Sequence, residues 1–267
     1  MGIAQYLISK AYNKLKPDIV VVLGDRYEIF SATSAAMISQ IPIAHIHGGE
    51  LTEGSWDDNI RHSISKMAHI HFAAADNYRK RLIQLGESPE NVFCTGGLGV
   101  DAIKKVNILS KKRLSETLNI RLNRTSFLVT YHPVTLEKDY GLSGLNNLLN
   151  ALNCFPEATI CFTLPNADTN SSLITKEIKS FLETHSNSFL FSSMGQEKYY
   201  SCLTHFSAVI GNSSSGLLEA PSFRIPTINI GKRQNGRLKA TSVIDCEPQE
   251  DNILNAINLA LSPTFSQ

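Results

Sequence analysis

Residues 211–219 have the sequence GNSSSGLLE and directly follow the apolar stretch 206–210, so a buried strand is predicted to lead through a small-residue turn into a helix. Backbone N–H groups at such a turn lack intrahelical partners and lie at the positive end of the helix dipole, which suits a phosphate or diphosphate. Glu219 follows within the helix, where its carboxylate can accept hydrogen bonds from two neighbouring sugar hydroxyls. The stretch predicts a site for a ribose-bearing nucleotide; an ordinary Ser-capped helix is the alternative.

The composition is that of a globular protein with room for two domains. The chain has 267 residues, of which 42% are hydrophobic and 18% charged. Lys and Arg (25) nearly balance Asp and Glu (24), so no global field attracts nucleic acid or an anionic membrane. The five cysteines contain no C-x-x-C pair, which argues against a zinc knuckle or a disulfide framework. We therefore expect a cytoplasmic protein with no nucleic-acid or membrane partner.

Short β-branched runs alternate with amphipathic segments along the whole chain. This alternation is typical of an α/β fold with doubly wound parallel sheets, in which ligands bind beyond the carboxyl ends of the strands. The predicted strands are residues 18–23, 42–46, 69–74, 91–95, 126–131, 159–164, 188–191, 208–211, 227–231 and 241–244. A basic, polar stretch at 104–124 interrupts the pattern. We therefore predict a first domain at 1–123, which includes this interdomain segment, and a second at 124–267.

The first domain is predicted to be incomplete. A single helix precedes its first strand, and it has about four strands where a doubly wound domain usually has more. One sheet edge and one apolar face would then be bare, a combination that favours self-association or partial unfolding. We therefore expect that the chain is a fragment of a longer protein.

Polar clusters follow the first two predicted strands. Asp25 and Arg26 come directly after the first strand, where a carboxylate and an arginine can serve as an acid/base and an anion clamp. Residues 45–58, HIHGGELTEGSWDD, follow the second strand and contain Glu50 and Asp57. Carboxylates in different environments at one strand end can have separated pKa values. The histidines nearby match no closed zinc pattern, so we expect no metal site.

In the second domain three further residues follow strands. His132 precedes a proline, which holds it extended at a strand end so that its ring can project into a cleft. Asn166 could contact a base edge or a hydroxyl, although a simple turn residue is the more frequent outcome. Arg233 lies in a Gly-flanked basic loop, a plausible second clamp on a diphosphate.

Six motifs in one order resemble the hydrolysing UDP-N-acetylglucosamine 2-epimerase family, from near residue 14 to the end of the chain. They are GDR (24–26), HIHGGE (45–50), DDNIRHSISK (57–66), HPVT (132–135), GNSS (211–214) and GKRQNGR (231–237). The resemblance implies a GT-B fold, two Rossmann-like domains facing a cleft, usually as a homodimer and without metal or nicotinamide. The implied reaction is anti-elimination of UDP to a glucal, followed by syn-hydration to a free sugar inverted at C2.

The resemblance also implies roles for individual residues. Glu219 would bind the ribose, the serines would bind the diphosphate, and Arg26 would reach across from the first domain. The implied UDP-binding set is His132, Asn166, Ser213, Ser214, Glu219 and Arg233. The implied proton-transfer set is Asp25, Glu50 and Asp57. Many relatives carry a glutamate where this chain has His47, which leaves open the group that acts at C2.

Three other functions remain open at this level. A non-hydrolysing epimerase would return a UDP-sugar, and a GT-B glycosyltransferase would need an acceptor. An inactive fragment would bind UDP without turnover. The sugar could be an N-acetylglucosamine or a 2,4-diacetamido relative, in either case for the synthesis of a sialic-type acid.

Overall fold

The chain forms two compact α/β units, Met1–Leu98 and Gly99–Gln267. The structure, a computed structural model, describes residues 1–53, 55–166, 170–263 and 265. The units divide before the basic stretch rather than at residue 123, because apolar residues within that stretch belong to the core of the second unit. Leu114, Leu118 and Ile120 are buried there. The α/β class predicted from the sequence is confirmed.

Within the described residues, the first unit contains one parallel sheet of four strands in sequential order. The strands are β1 (Val20–Leu23), β2 (Ile43–Ile46), β3 (Ile70–Ala73) and β4 (Val92–Cys94). The helices are α1 (Gly2–Leu15), α2 (Tyr27–Ile38), α3 (Asp57–Met67) and α4 (Asp76–Gln84), and α5 (Leu98–Ile103) crosses the boundary between the units.

The second unit contains, over its described residues, a parallel sheet of six strands in the order β10-β9-β8-β5-β6-β7. The strands are β5 (Ser126–Thr130), β6 (Thr159–Thr163), β7 (Ser188–Phe191), β8 (Ala208–Gly211), β9 (Thr227–Ile230) and β10 (Val243–Cys246). The helices are α6 (Lys111–Leu118), α7 (Leu142–Leu152), α8 (Ser171–Thr184), α9 (Gly195–His205), α10 (Ser215–Leu218) and α11 (Glu250–Ala260). The strand order reverses between β5 and β8, which is where a ligand is expected in such a sheet.

Both faces of the second sheet are covered. Phe127 and Val129 pack into one apolar cluster with residues of α7, α8 and α11. Leu128, which points to the opposite face of the same strand, packs into another cluster with residues of α6 and α9. This two-sided burial explains why β5 is apolar at successive positions rather than alternating.

All ten strands predicted from the sequence are present, but the helix predicted after β8 is short. α10 ends at Leu218 and is followed by a 3₁₀ turn, Ala220–Phe223. Pro221 has no N–H to donate into a continuing α-helix, which accounts for the early end. Among the described residues, no helix is long and apolar enough to cross a membrane.

The first sheet has one covered face and one partly open face. Side chains of Val22, His45, His71 and Val92 form a buried row across the four strands. The neighbouring row on the opposite face consists of Leu23, Ile46, Phe72 and Phe93, with Leu23 50% and Phe93 47% exposed. The bare apolar face and edge predicted from the sequence are therefore present at β1.

We expect the open face to drive self-association of the 267-residue chain, because contiguous exposed apolar surface favours its own burial. Substituting Val21→Thr and Leu23→Thr together retains strand-compatible side chains and should lower the apparent mass at a given concentration. Sedimentation velocity over a concentration series measures this. Leu136→Thr, at another exposed apolar position, is the matched control. A parent chain whose mass does not change with concentration would contradict the prediction.

Candidate functional site

A buried arginine connects the polar segments at the carboxyl ends of β1 and β2. Arg61, on α3, is 1% exposed. Its guanidinium donates to the Asp25 carboxylate, to the Glu50 carbonyl at 3.0 Å and to the Thr52 hydroxyl at 2.9 Å. The Asp58 carboxylate lies 3.4 Å away. One guanidinium therefore fixes the turn after β1, the loop after β2 and the start of α3 relative to one another.

The other residues predicted from these turns lie nearby. Arg26 forms an ion pair with Glu28 at 2.7 Å and lies over the Tyr27 ring, in a partly exposed position. Asp57 is the first residue of α3, half-buried, and its N–H donates to the Ser55 hydroxyl at 3.3 Å. Asp25 and Glu50 therefore both contact Arg61, and Asp57 is the neighbour of Asp58, which also lies close to Arg61.

His45 is a structural histidine rather than a metal ligand. It is fully buried, and its Nε2 lies 2.8 Å from the Gly24 carbonyl while its Nδ1 lies 3.1 Å from the Ser65 hydroxyl. Burial lowers its pKa to about 4, against the opposing effect of the Gly24 bond, so the ring is neutral near pH 7 and Nε2 donates. No cluster of three or more potential metal ligands occurs among the described residues.

His47 and Glu50 form a close pair in the loop after β2. His47 Nδ1 lies 2.6 Å from Glu50 Oε1, and the Glu50 side chain is almost fully buried. His47 has a positive φ of 67°, a conformation that is uncommon outside glycine. Glu50, one of the predicted proton-transfer residues, therefore contacts the His47 ring.

In the second unit a cavity of about 360 Å³ lies at the carboxyl ends of β5 and β6 and beside the turn after β8. Hydroxyl, amide and ring groups from four segments line it. The lining comprises Thr130, His132, Thr163, Leu164, Asn166, Ser193, Met194, Gly195, Gln196, Tyr199, Tyr200, Ser213, Ser215 and Glu219. It lies at the strand-order reversal where the fold places ligands.

Two hydroxyl groups fix the Glu219 carboxylate in this cavity. The Tyr200 hydroxyl donates to Oε1 at 2.8 Å, and the Ser215 hydroxyl donates to Oε2 at 2.6 Å. The Tyr199 hydroxyl lies 2.6 Å from Ser215 Oγ. Burial raises the pKa of both tyrosines, so both remain neutral hydroxyls at any ordinary pH. The carboxylate is thus held in one orientation and retains further lone pairs for a ligand.

The Asn212 side chain holds the backbone of His132 at the cavity. Asn212 Oδ1 accepts from the His132 N–H at 2.7 Å, and Nδ2 donates to the His132 carbonyl at 2.9 Å. Gly211 allows the chain at the end of β8 to approach the end of β5, because a Cβ at residue 211 would lie 2.0 Å from the Thr130 carbonyl oxygen. His132 Nδ1 accepts from the Asn166 N–H at 3.2 Å, which leaves the proton on Nε2.

The cavity lining includes four of the six residues predicted for the nucleotide: His132, Asn166, Ser213 and Glu219. Ser214 is the N-cap of α10, and Arg233 is buried beside the cavity with Nη1 3.3 Å from the Asn212 carbonyl. Because α10 has only four residues, its dipole is small.

Sequence reasoning missed Arg61, Asn212 and the two tyrosines. Arg61 lies inside a quoted motif, but its burial depends on how α3 packs. Tyr199 and Tyr200 precede Glu219 by a whole strand and gave no local signal. Asn212 lies inside a quoted motif, but its amide acts on a residue 80 positions away.

The whole chain, residues 1–267, matches the sequence profile of the UDP-N-acetylglucosamine 2-epimerase family. It is 45% identical over 248 residues to a Campylobacter jejuni GDP/UDP-N,N'-diacetylbacillosamine 2-epimerase (hydrolyzing), covering 92% of this chain and 65% of that protein. It is 41% identical over 249 residues to the Escherichia coli polysialic acid biosynthesis protein P7, covering 93% and 63%. The chain therefore spans just under two thirds of the length of these curated relatives.

The fold is also similar to that of a solved enzyme. The Neisseria meningitidis UDP-GlcNAc 2-epimerase, determined with UDP-GlcNAc bound, superposes with a TM-score of 0.82 at 20% identity, over 98% of this chain and 73% of that one. This likeness confirms the GT-B-type fold of two Rossmann-like units that the motifs implied. With a profile match over its entire length and close relatives of the hydrolysing type, the chain belongs to the UDP-N-acetylglucosamine 2-epimerase family.

Proposed function

We propose that this chain is a hydrolysing 2-epimerase that converts a UDP-N-acetylhexosamine and water into UDP and the free sugar inverted at C2. The observation that carries the proposal is the Glu219 carboxylate, fixed by Tyr200 and Ser215 at the wall of a nucleotide-sized cavity. An oriented acceptor of this kind suits the two hydroxyls of a ribose. The hydrolysing Campylobacter relative, at 45% identity, supports the same choice.

The second unit would bind the nucleotide. Glu219 accepts from the ribose hydroxyls, while Ser213 and Ser214 offer hydroxyl and backbone N–H donors to the diphosphate. His132, whose Nε2 is a donor, and the Arg233 guanidinium supply further groups for the phosphates. Donors that are already fixed in place stabilise the negative charge that develops on UDP as it leaves.

The first unit would carry out the proton transfers. In the elimination step a base takes the proton from C2, the C–H electron pair forms the C1=C2 double bond, and the C1–O bond breaks with its electrons remaining on UDP. In the hydration step water adds its hydroxyl to C1 and a proton reaches C2 on the face that gives inversion. Asp25, Glu50 and Asp57 are the proposed acid and base groups; Arg61 contacts the Asp25 carboxylate and the Glu50 carbonyl.

For the sugar part of the substrate we propose a chemical class, the N-acetylhexosamines, rather than one compound. The diacetamido sugar named for the Campylobacter relative, and the polysialic acid role named for the Escherichia protein, support a UDP-linked N-acetylhexosamine that enters sialic-type acid synthesis. UDP-N-acetylglucosamine and its 2,4-diacetamido analogue should be assayed in parallel. Stoichiometric release of free UDP without an acceptor distinguishes this function from a non-hydrolysing epimerase and from a glycosyltransferase.

Glu219→Ala should weaken UDP binding by about 2–3 kcal/mol, because two charge-assisted hydrogen bonds to ribose are lost. Isothermal titration of the full chain measures this. The parent chain should also bind 2′-deoxy-UDP more weakly than UDP. Glu219→Ala should bind the two ligands equally, because removing the carboxylate and removing the 2′-hydroxyl abolish the same contact.

Glu197→Ala is the matched control for this prediction. Glu197 lies on α9 near the cavity but is exposed, so its loss should leave UDP binding unchanged. Thermal unfolding of Glu219→Ala would report any effect of leaving Tyr200 and Ser215 without their acceptor. Unchanged affinity of a folded Glu219→Ala variant would remove Glu219 from the ribose site.

Product formed in deuterium oxide should carry deuterium at C2, because the C2 proton is exchanged during elimination and hydration. Asp57→Asn should reduce turnover by at least about a hundredfold while leaving UDP affinity unchanged, since a general acid or base typically contributes that much. Asp76→Asn, an exposed first-turn carboxylate on α4, is the control. Mass spectrometry and proton NMR follow the label, and coupled UDP release follows turnover. Unlabelled product or full activity of Asp57→Asn would argue against these roles.

A further inference from the structure

The side chains of His47 and Glu50 differ in what they can reach. His47 Nδ1 and Glu50 Oε1 are 2.6 Å apart, and the side-chain exposures are 17% and 3%. A carboxylate oxygen accepts hydrogen bonds, so Nδ1 is the donor in this contact. The Nδ1–H tautomer of the ring leaves Nε2 unprotonated, and Nε2 makes no hydrogen bond with any described residue. The ring is therefore the part of the pair that a ligand can contact.

The backbone around the pair is fixed at several points. The His47 N–H donates to the Phe72 carbonyl at 2.9 Å, which continues the β2–β3 pairing past the end of β2. Arg81 donates to the Gly49 carbonyl and Arg61 donates to the Glu50 carbonyl. These contacts hold His47 in its left-handed conformation, with φ of 67°. Sparsely populated backbone conformations that the surroundings enforce are concentrated at functional sites.

Three other polar side chains near this strand end are already engaged. Asp25 is paired with Arg61, and Asp58 accepts from the Thr52 N–H at 2.7 Å. His45 uses both ring nitrogens in buried contacts. At this strand end His47 therefore presents an accessible imidazole nitrogen, next to a buried carboxylate that orients it. The arrangement of orienting carboxylate, imidazole and open nitrogen is one that suits a general base.

We propose that His47 is the catalytic base of the elimination step and that Glu50 is a positioning residue that acts through it. This inference rests on the proposed function and refines it, because Glu50 no longer contacts the sugar. Nε2 takes the proton from C2 as the C1=C2 bond forms and UDP leaves with the C1–O electron pair. The resulting imidazolium is stabilised by the Glu50 carboxylate and then returns its extra proton to water.

The test compares four variants of the full chain: His47→Gln, His47→Glu, Glu50→Gln and the control His69→Gln. His69 is exposed and its ring nitrogen accepts only from the Ile43 N–H at 3.3 Å. His47→Gln should lower kcat by about a hundredfold or more with little change in KM or UDP affinity. His47→Glu restores a proton acceptor and should recover at least about a tenth of the lost activity. His69→Gln should retain parent activity.

A spectroscopic readout tests the positioning role of Glu50 separately. In ¹⁵N–¹H spectra of histidine-labelled protein, the His47 ring should carry its proton on Nδ1, with an unprotonated Nε2. Glu50→Gln loses the negative charge and has both an amide donor and an amide oxygen to offer Nδ1, so the ring should no longer be confined to the Nδ1-protonated tautomer and kcat should fall at least about tenfold. A residue with a purely structural role would not change this tautomer.

The outcomes separate the two proposals. An Nε2-protonated His47 in the parent chain, or His47→Gln turning over within threefold of the parent, would overturn the assignment of His47 as the base. The assignment would also be overturned if the kcat of His47→Glu did not exceed that of His47→Gln. A parent chain that binds UDP and releases none from either UDP-sugar would refute the proposed function and, with it, the base role; the tautomer would still report whether Glu50 orients the ring.

Discussion

The buried Arg61 guanidinium is the interaction on which the first unit's polar end depends. A charge removed from water costs several kcal/mol unless its donors are satisfied, and here carboxylates, a carbonyl and a hydroxyl surround it. Three separate chain segments must reach it at once. The segments after β1 and β2 are therefore not independent loops, since displacement of either would leave a buried donor without its acceptor.

The two units use different kinds of constraint at their strand ends. In the first unit ionic contacts around Arg61 and the His47–Glu50 pair hold the loops. In the second unit mostly neutral groups do so: Asn212 holds His132, and tyrosine and serine hydroxyls hold Glu219. Neutral hydroxyls change little with pH, whereas histidine and carboxylate contacts can titrate. The proposed proton-transfer groups therefore lie among ionisable contacts, and the proposed nucleotide-binding groups lie among mostly neutral ones.

Much of the fold could be predicted because strand signals are local. Runs such as 126–131 are apolar and β-branched, and their alternation with helical segments indicates parallel sheets without further information. The place of the unit boundary could not be predicted, because burial of Leu114 and Leu118 is a property of packing. Glu219 was predicted to lie within the helix after β8, whereas α10 ends at Leu218, although Pro221 is visible in the sequence and sets its end.

The candidate site could be predicted where residues directly follow strands, since the topology brings such positions to one end of a sheet. Asp25, Glu50, His132 and Ser213 were predicted in this way, and the structure places each of them after the end of a strand. Partners that come from helix faces were not predicted, because Arg61 and Tyr200 reach the site only after α3 and α9 pack. The pairing of His47 with Glu50 follows from a left-handed residue whose conformation no periodicity indicates.

The Asn212 side chain behaves as one more peptide group in the sheet. Its backbone N–H pairs with the Thr130 carbonyl at 3.2 Å, and its amide then offers one acceptor and one donor to the backbone of His132, two residues further along the chain and past the end of β5, as a neighbouring strand would. Aspartate would lack the donor, and glutamine would be a methylene too long. Asparagine at this position therefore has a reason that belongs to sheet pairing rather than to nucleotide chemistry.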